Sequence, residues 1–293
     1  MRLSKGPRLQ SAMEYLMTYG WAILAIAIVM VSLYSLGIFN LGNLAPTATP
    51  GSCQVIRTAA QTSLAGQCNN LIPKYVGKFN GNSAYSQIPY FSQINPSKFT
   101  VVIWAYAKGS QGTYRSPMTS RCVVSSVNEG YMLYASDANQ WKLQIGCGVG
   151  CWGGPSGGTV SLNTWVQVAG TYDGTTATVY VNGVNVASAN TSYTVNPSCV
   201  MRIGAGFTEG SPTYYFNGSL ANLQIYNTSM PAGDIKALYT EGVGGAPINV
   251  RNLTAWYPLN GDSNDYSGNY RNGNPTSIVW NANWQNGYKA PTS

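Results

Sequence analysis

The stretch NTWVQVAGTYDGTTATVYVNGVNVAS, residues 163–188, carries the clearest structural pattern in this chain of 293 residues. Apolar and polar side chains alternate between residues 176 and 181, and a period of two is typical of a β-strand with one buried face. Residues 165–172 alternate in the same way. Asp173-Gly174 lies between the two runs and Asn182-Gly183 follows the second, and both pairs favour tight hairpin turns. The stretch therefore predicts consecutive antiparallel strands.

Similar short runs occur on both sides of this stretch, with turn residues between them. They predict further strands at residues 99–107, 131–135, 141–147, 200–204 and 216–226. Many short strands at this spacing indicate a β-sandwich, and about 220 residues are ample for one core.

Five segments in this region follow one another in a recognisable order. They are FNGNSAYSQIP (79–89), FTVVIWAYA (99–107), the stretch quoted above, MRIGAG (201–206) and YFNGSLANLQIYNTSMPAGDIKALY (215–239). This order resembles the laminin G-like jelly roll of the concanavalin A-like lectin and glucanase fold. The resemblance implies a mainly β fold, an antiparallel jelly-roll β-sandwich over residues 74–242. A short closing helix would start at Pro231, where a missing N–H costs nothing.

The tail has an unusual position. LTAWYPLNGDSNDYSGN, residues 253–269, resembles the segment that usually opens such a domain, yet here it follows the closing helix. We expect residues 243–293 to fold back and complete the sandwich, as in a circular permutation, which requires only that the two ends of the domain lie close together. A truncated repeat with a disordered end is the alternative.

The N-terminal part differs in composition from the rest. No charged side chain occurs between Glu14 and Arg57, and residues 21–39, WAILAIAIVMVSLYSLGIF, are almost wholly apolar. One long hydrophobic helix over residues 10–44 could cross a bilayer core of ~30 Å at ~1.5 Å per residue. The basic leader, residues 1–9, would hold the N-terminal end of this helix in the cytoplasm. The β part that follows the helix, the head, would then be extracellular. Residues 45–73 are predicted to be a linker.

Residues 10–40, QSAMEYLMTYGWAILAIAIVMVSLYSLGIFN, resemble the N-terminal helix of archaeal type IV pilins and related filament subunits. In that family a membrane peptidase cuts before the helix, and the helices then pack together in the filament core. The resemblance implies that Gln10 starts the mature chain and that Glu14 pairs with the amino terminus of a neighbouring subunit. Leu9 stands where the family usually has Gly. The implied partners are a membrane and further copies of this chain.

All six cysteines follow the hydrophobic helix, which favours disulfides in an exported head. These residues are Cys53, Cys68, Cys122, Cys147, Cys151 and Cys199. Proximity favours a bond between Cys53 and Cys68, and the other pairings stay open. A metal site at Cys147 and Cys151 is the alternative, although the chain has no His to complete it.

Charge and reactive groups narrow the function. The net charge of +7 is spread without a basic stripe, which argues against a nucleic-acid partner. The absence of His removes the commonest general base. No predicted strand carries the pair of carboxylates that a glycosidase needs, and Glu129 is among those expected in turns or loops. The sequence therefore predicts a protein that is not an enzyme.

Binding of a glycan or another surface ligand is the better expectation. Sugar sites combine exposed aromatic faces with polar groups on loops, so Trp152, Tyr214 and Tyr215 are predicted ligand-binding residues. Packing of Trp152 on a disulfide is the alternative for that residue.

Proteins of the jelly-roll fold often carry calcium, and the resemblance makes calcium the expected cofactor. Asp262, Asn264 and Asp265 cluster in one loop and offer the oxygen ligands that calcium prefers. Turn formation by the same residues is the alternative. Four sequons also predict N-glycosylation, at Asn190, Asn217, Asn227 and Asn252.

Together these features predict a pilin-like or filament-associated cell-surface protein. Its helix would build the assembly, and its sandwich would be displayed for adhesion or glycan binding. A monomeric, membrane-anchored carbohydrate-binding module is the alternative.

Overall fold

The structure is a computed structural model, and it describes residues 8–35, 47–69 and 71–291. The chain divides into two units, Met1–Ala45 and Pro46–Ser293. In the first unit the helix α1 spans Arg8–Ser35. Gln10 and Glu14 lie in α1, but their side chains are outside the described residues, as is most of the basic leader.

The described side chains of α1 belong to residues 17 and 19–33. Within the part of the chain that can be assessed, no helix combines the length and the apolar character needed to span a bilayer. The pilin-like role expected for residues 10–44 is likewise not shown.

The strands of the second unit begin with β1 (Thr47–Ala48), β2 (Cys53–Arg57), β3 (Thr62–Gly66), β4 (Ile72–Pro73), β5 (Val76–Asn80), β6 (Tyr85–Ile88) and β7 (Phe99–Ala107). They continue with β8 (Arg115–Val124), β9 (Val127–Ala135), β10 (Gln140–Gly146), β11 (Gly148–Val149), β12 (Trp152–Gly153), β13 (Ser156–Thr159) and β14 (Trp165–Tyr172). They end with β15 (Thr176–Val181), β16 (Val184–Asn190), β17 (Met201–Ile203), β18 (Asn217–Tyr226), helix α2 (Ala232–Thr240), β19 (Leu253–Tyr257), β20 (Asn274–Thr276) and β21 (Val279–Asn281).

Two antiparallel sheets form the sandwich. The first has nine strands in the order β12-β10-β9-β8-β17-β6-β20, with β11 on β9 and β13 on β10. The second has eight strands in the order β16-β15-β14-β7-β18-β5-β21, with β19 on β18. This architecture confirms the mainly β, jelly-roll sandwich that the sequence predicts.

The hairpins form where the turn pairs predict them. β14 and β15 pair around Asp173, whose Oδ1 accepts hydrogen bonds from the backbone N–H groups of Thr175 and Thr176. At the next turn both Asn182 and Gly183 have positive φ, 52° and 76°, as a tight hairpin requires.

Two local predictions differ from the structure. β8 was not predicted, because Pro117 and several polar residues hide the alternation of its core-facing side chains. Glu129 was expected in a turn or loop, but it lies in β9 opposite Cys122.

The main core lies between the two sheets, and β7 shows why both of its faces are apolar. Val101 and Ile103 point into that core. Val102 and Trp104 point the other way and are also buried, at 2% exposure each, because α2 and the flanking segments cover the outer face of the second sheet.

The predicted linker, residues 45–73, is a correction to the expected domain boundaries. From residue 47 it contains β1 to β4 and belongs to the same unit as the sandwich. Val55 and Leu71 are buried in one cluster with Leu253 and Trp256 of the tail. The apolar residues of this segment are too few to stand out in the sequence, and they acquire a core only by packing on the tail.

Arg57 fastens this segment to the tail. Its guanidinium donates hydrogen bonds to the carbonyl oxygens of Ser267 (2.8 Å), Val250 (3.1 Å) and Leu253 (2.5 Å). The tail also extends both sheets, since β19 pairs with β18, β20 with β6 and β21 with β5.

The six cysteines form three disulfides, as the sequence predicts. The pairs are Cys53–Cys68, Cys122–Cys199 and Cys147–Cys151. The last pair is therefore a covalent bond rather than the alternative metal site.

Candidate functional site

An aromatic groove lies on the outer face of the first sheet. Met132 in β9 pairs with Thr119 in β8 and with Gln144 in β10. Directly paired residues point to the same face, so these side chains face outward while Leu133 and Leu143 enter the core. The groove encloses about 200 Å³. Its lining residues are Tyr114, Ser116, Arg121, Met132, Tyr134, Gln144, Trp152, Gly206, Phe207 and Tyr214.

The guanidinium of Arg121 lies between two aromatic rings at one side of this aromatic groove. Its central carbon is 4.9 Å from the ring centroid of Trp152 and 4.5 Å from that of Phe207. Both distances are within the range of cation–π attraction. Arg121 Nη2 also donates to Glu209 Oε1 at 2.6 Å, and each of the two side chains is 15% exposed. The cation therefore links the two walls, and its charge is balanced by Glu209.

The loop over residues 206–214 forms the second wall and is fixed to the sheet. Gly206 and Thr213 form an isolated antiparallel bridge that closes the loop. The backbone N–H of Ser116 donates to the carbonyl of Tyr214 at 2.9 Å. The Thr208 hydroxyl donates to the carbonyl of Arg121. These contacts hold the loop against the start and the middle of β8.

Two large side chains in this wall have a strained backbone. Phe207 and Tyr214 have φ values of 62° and 50°, in the left-handed region that bulky residues rarely adopt. Such strain costs about 1–3 kcal/mol per residue and is concentrated at functional sites. Both residues line the groove.

Three tyrosines complete the aromatic surface. Tyr114 packs edge-on against Tyr134 and Tyr214, with ring centroids 5.7 and 5.6 Å apart. Tyr114 is 41% exposed and Tyr214 is 43% exposed, whereas Tyr134 is buried. The charge of Asp137, followed by burial, raises the pKa of Tyr114, and burial raises that of Tyr134. The hydroxyls of Tyr114 and Tyr134 therefore stay protonated near neutral pH and can donate hydrogen bonds.

The structure brings together two of the three predicted ligand-binding residues. Trp152 and Tyr214 come from distant segments and line the same groove. Tyr215 does not line it, and the ring of Tyr215 lies 6.4 Å from that of Tyr85. The ring of Trp152 contacts the guanidinium of Arg121, and its packing on a disulfide stays the alternative.

Sequence reasoning missed Tyr114, Arg121 and Phe207. Arg121 lies in the unpredicted strand β8, so its register could not be assigned. A signal for Phe207 was its place directly after MRIGAG, in the same loop as Tyr214.

The carboxylate oxygens of the predicted calcium loop already accept hydrogen bonds within the protein, so they do not fit a calcium ion well. Asp265 Oδ1 accepts hydrogen bonds from the backbone N–H groups of Trp256 and Ser267, and Oδ2 accepts one from Arg271. Asp262 accepts from the Asn264 side chain at 3.1 Å and from a tyrosine hydroxyl. Among the described residues no group of three or more His, Cys, Asp or Glu could hold a metal. These hydrogen bonds are the ones expected of the turn-forming alternative, and calcium binding stays a prediction.

The four predicted glycosylation sites differ in exposure. Asn190 and Asn227 are exposed, while Asn217 and Asn252 are partly buried. Their modification stays a prediction.

Comparisons with known proteins identify the fold family. The profile described as the concanavalin A-like lectin/glucanases superfamily, of the laminin G type, matches residues 80–236. No curated protein matches the chain.

Solved structures with the same fold are distant in sequence. A candidate carbohydrate-binding protein from Bacteroides ovatus has 16% identity and a TM-score of 0.56, over 77% of this chain and 65% of that one. The chain thus spans less than two thirds of that protein. A SAP-like pentraxin from Limulus polyphemus has 12% identity and a TM-score of 0.50, over 70% and 94% of the two chains.

The CBM40 module of the Ruminococcus gnavus IT-sialidase, solved with α2,3-sialyllactose, has 14% identity and a TM-score of 0.44 over 57% of this chain and all of that one. Identities this low indicate the fold alone. Because the family profile covers more than half of its length, the chain belongs to the concanavalin A-like lectin/glucanase superfamily.

Proposed function

We propose that this chain is a non-catalytic carbohydrate-binding protein that acts outside the cell and holds its ligand in the aromatic groove. The main support is that Trp152 and Tyr214 line one groove beside the exposed Tyr114. Trp152 follows a disulfide-closed loop, and Tyr214 has a strained backbone. Membership of a lectin-containing superfamily and similarity to a candidate carbohydrate-binding protein support it. The three disulfides are typical of an extracellular or secreted protein.

The groove suits an uncharged part of a glycan. The exposed faces of Tyr114 and Tyr214 can pack against the C–H face of a sugar ring, and tyrosine hydroxyls and Gln144 can exchange hydrogen bonds with its hydroxyls. Glu209 already balances the charge of Arg121, so an anionic ligand gains little there. A volume of about 200 Å³ accommodates a short portion of a glycan rather than a whole chain.

A glycan array probed with the full chain tests this function. Once a binding glycan is found, its affinity is measured for Trp152→Ala and Tyr214→Asn. Asn is chosen at position 214 because it tolerates the left-handed backbone. Loss of an aromatic contact worth about 0.5–1.5 kcal/mol weakens binding by about two- to tenfold.

Tyr270→Asn is the matched control. Tyr270 is 81% exposed and also has a positive φ of 56°, but it does not line the groove. We expect this variant to bind like the unmodified chain. Equal affinities for all three variants, or equal losses in all three, would refute the assignment of the ligand to the groove.

The helix supports a further part of the proposal, which is display of the head on a cell surface for adhesion. Large apolar side chains of α1, among them Trp21, Ile23, Ile26 and Val31, are 63–70% exposed. A helix with such a surface gains free energy by packing on other apolar surfaces. We propose that copies of α1 associate in a pilin-like filament, with a monomeric, membrane-anchored form as the alternative.

The amino terminus of the mature protein tests this part independently of glycan binding. A start at Gln10, together with filaments visible by electron microscopy, is the expected result. An intact Met1 on isolated, filament-free protein would contradict it.

A further inference from the structure

A second and larger cleft lies on the outer face of the second sheet, away from the aromatic groove. Its volume is about 530 Å³, within the range of small-molecule sites. The lining contains no Asp or Glu, and it includes Lys78, Lys108, Tyr106, Trp165, Ser219 and Asn217. We call it the lysine cleft.

The strand register explains why these side chains meet. Lys78 in β5 pairs with Ser219 in β18, Ser219 pairs with Tyr106 in β7, and Tyr106 pairs with Trp165 in β14. Directly paired residues share one face, so four neighbouring strands present one continuous row. At ~4.8 Å between strands the row is ~14 Å long. Lys108, two residues after Tyr106, extends from the same face.

The tail forms the wall of the lysine cleft. Trp165 Nε1 donates to the carbonyl of Trp284 at 3.1 Å, and Trp284 Nε1 donates to the carbonyl of Pro73 at 2.9 Å. Asn281 and Asn283 bond to each other and stand beside the row. This wall is therefore held in place by buried hydrogen bonds.

The charges distinguish this cleft from the aromatic groove. Lys78 and Lys108 are exposed, and among residues 47–69 and 71–291 the one ion pair joins Arg121 to Glu209. The two ammonium groups thus have no carboxylate partner there. Two lysines beside the partly exposed ring of Tyr106 match a sugar that carries a negative group, because the ring can stack while the ammonium groups bind the anion.

We propose that the lysine cleft is a second binding site and that it takes an oligosaccharide bearing carboxylate or sulfate groups. This site does not depend on the ligand of the aromatic groove.

The test measures binding of the full chain to three trimers with one galactose backbone. They are the neutral trimer, its 6-sulfated form and its uronic acid form, compared by isothermal titration calorimetry. We expect at least one anionic trimer to bind ten times more tightly than the neutral trimer, with an affinity that falls as salt is raised. The arm that binds shows whether sulfate or carboxylate is the ligand group.

Variants then locate the site. Lys78→Gln with Lys108→Gln should weaken anionic binding at least tenfold, because both charge-assisted hydrogen bonds are lost. Lys98→Gln with Lys289→Gln is the control, since it removes the same charge from exposed positions outside the cleft. Equal thermal unfolding of both double variants confirms that the fold is unchanged.

Several results would overturn the proposal. They are equal affinity for neutral and anionic trimers, no anionic binding, or unchanged binding in the Lys78 and Lys108 double variant. Anionic binding lost in Trp152→Ala would place the ligand in the aromatic groove instead. A glycan found on Asn217 in the native protein would fill the cleft and also refute it.

Discussion

Replacement of Cys147 and Cys151 by serine is expected to reduce glycan binding while changing stability only modestly. The disulfide closes a loop with a sequence separation of 4, and Trp152 follows directly after it. The backbone N–H of Cys147 donates to the carbonyl of Cys151, and Trp152 then pairs with Gly146 in β10. Without the bond the loop keeps this pairing but loses a constraint on the ring that packs against Arg121.

The stability cost follows from the length of each closed loop. In the chain-entropy description, a separation of 4 corresponds to about 2 kcal/mol and a separation of 15, for Cys53–Cys68, to about 3 kcal/mol. The loss of stability is therefore expected to be larger for Cys53–Cys68, because that bond restricts the unfolded chain more. The loss of glycan affinity should be larger for the Cys147–Cys151 variant, because Cys53 and Cys68 do not line the aromatic groove.

Urea unfolding and glycan titration of the two double-serine variants check both rankings. We expect the Cys147–Cys151 variant to lose about twofold to threefold in affinity, less than Trp152→Ala, because the aromatic contact is only partly lost. The Cys53–Cys68 variant should bind like the unmodified chain despite its larger loss of stability. Unchanged affinity in the first variant, or a larger affinity loss in the second, would refute the argument that the disulfide positions Trp152.

Two further predictions concern the tail. Arg57→Met removes three charge-assisted hydrogen bonds and keeps most of the side-chain length. We expect the free energy of unfolding in urea to fall by about 2–4 kcal/mol. The control Arg251→Met, at an exposed position, should change this free energy little. Alkaline pH should also destabilise the fold: burial and the hydrogen bond to Asp262 raise the pKa of Tyr266 to about 12, so its contribution is complete below pH 10 and is lost between about pH 10 and 12. Tyr266→Phe should make unfolding free energy depend less steeply on pH in that window, and an unchanged slope would contradict this reasoning.

The sandwich was predictable because its signals are local. Asp173-Gly174 and Asn182-Gly183 define their hairpin within a few residues, and β14 matches its predicted bounds. β8 is not predicted because its core-facing row mixes Met118 and Cys122 with the polar Ser120, and Pro117 interrupts the strand pattern. The predicted linker failed for a related reason, since Val55 and Leu71 bury themselves only against residues about 200 positions away in the tail.

The aromatic groove was predictable only in its parts. The sequence predicts Trp152 and Tyr214 as aromatic residues on loops, but their meeting depends on the pairing of β10 with β12 and on the bridge that closes the 206–214 loop. The loop with Asp262 and Asp265 shows the opposite limit. Its residue types fit either calcium or a turn, and the sequence does not show the backbone N–H groups that donate to the carboxylate of Asp265.

Strand β18 pairs with two separate segments of the chain, and this limits where the protein can be truncated. One half of that strand pairs with β5 and the other half with β19, which lies beyond the family match at residues 80–236. A fragment cut at those limits would leave backbone groups along β18 without hydrogen-bond partners and would expose Leu223 and Ile225. Such a fragment is expected to aggregate. Truncations that keep the head intact should start before Thr47 and retain the chain through Tyr288, whose ring packs on Trp284.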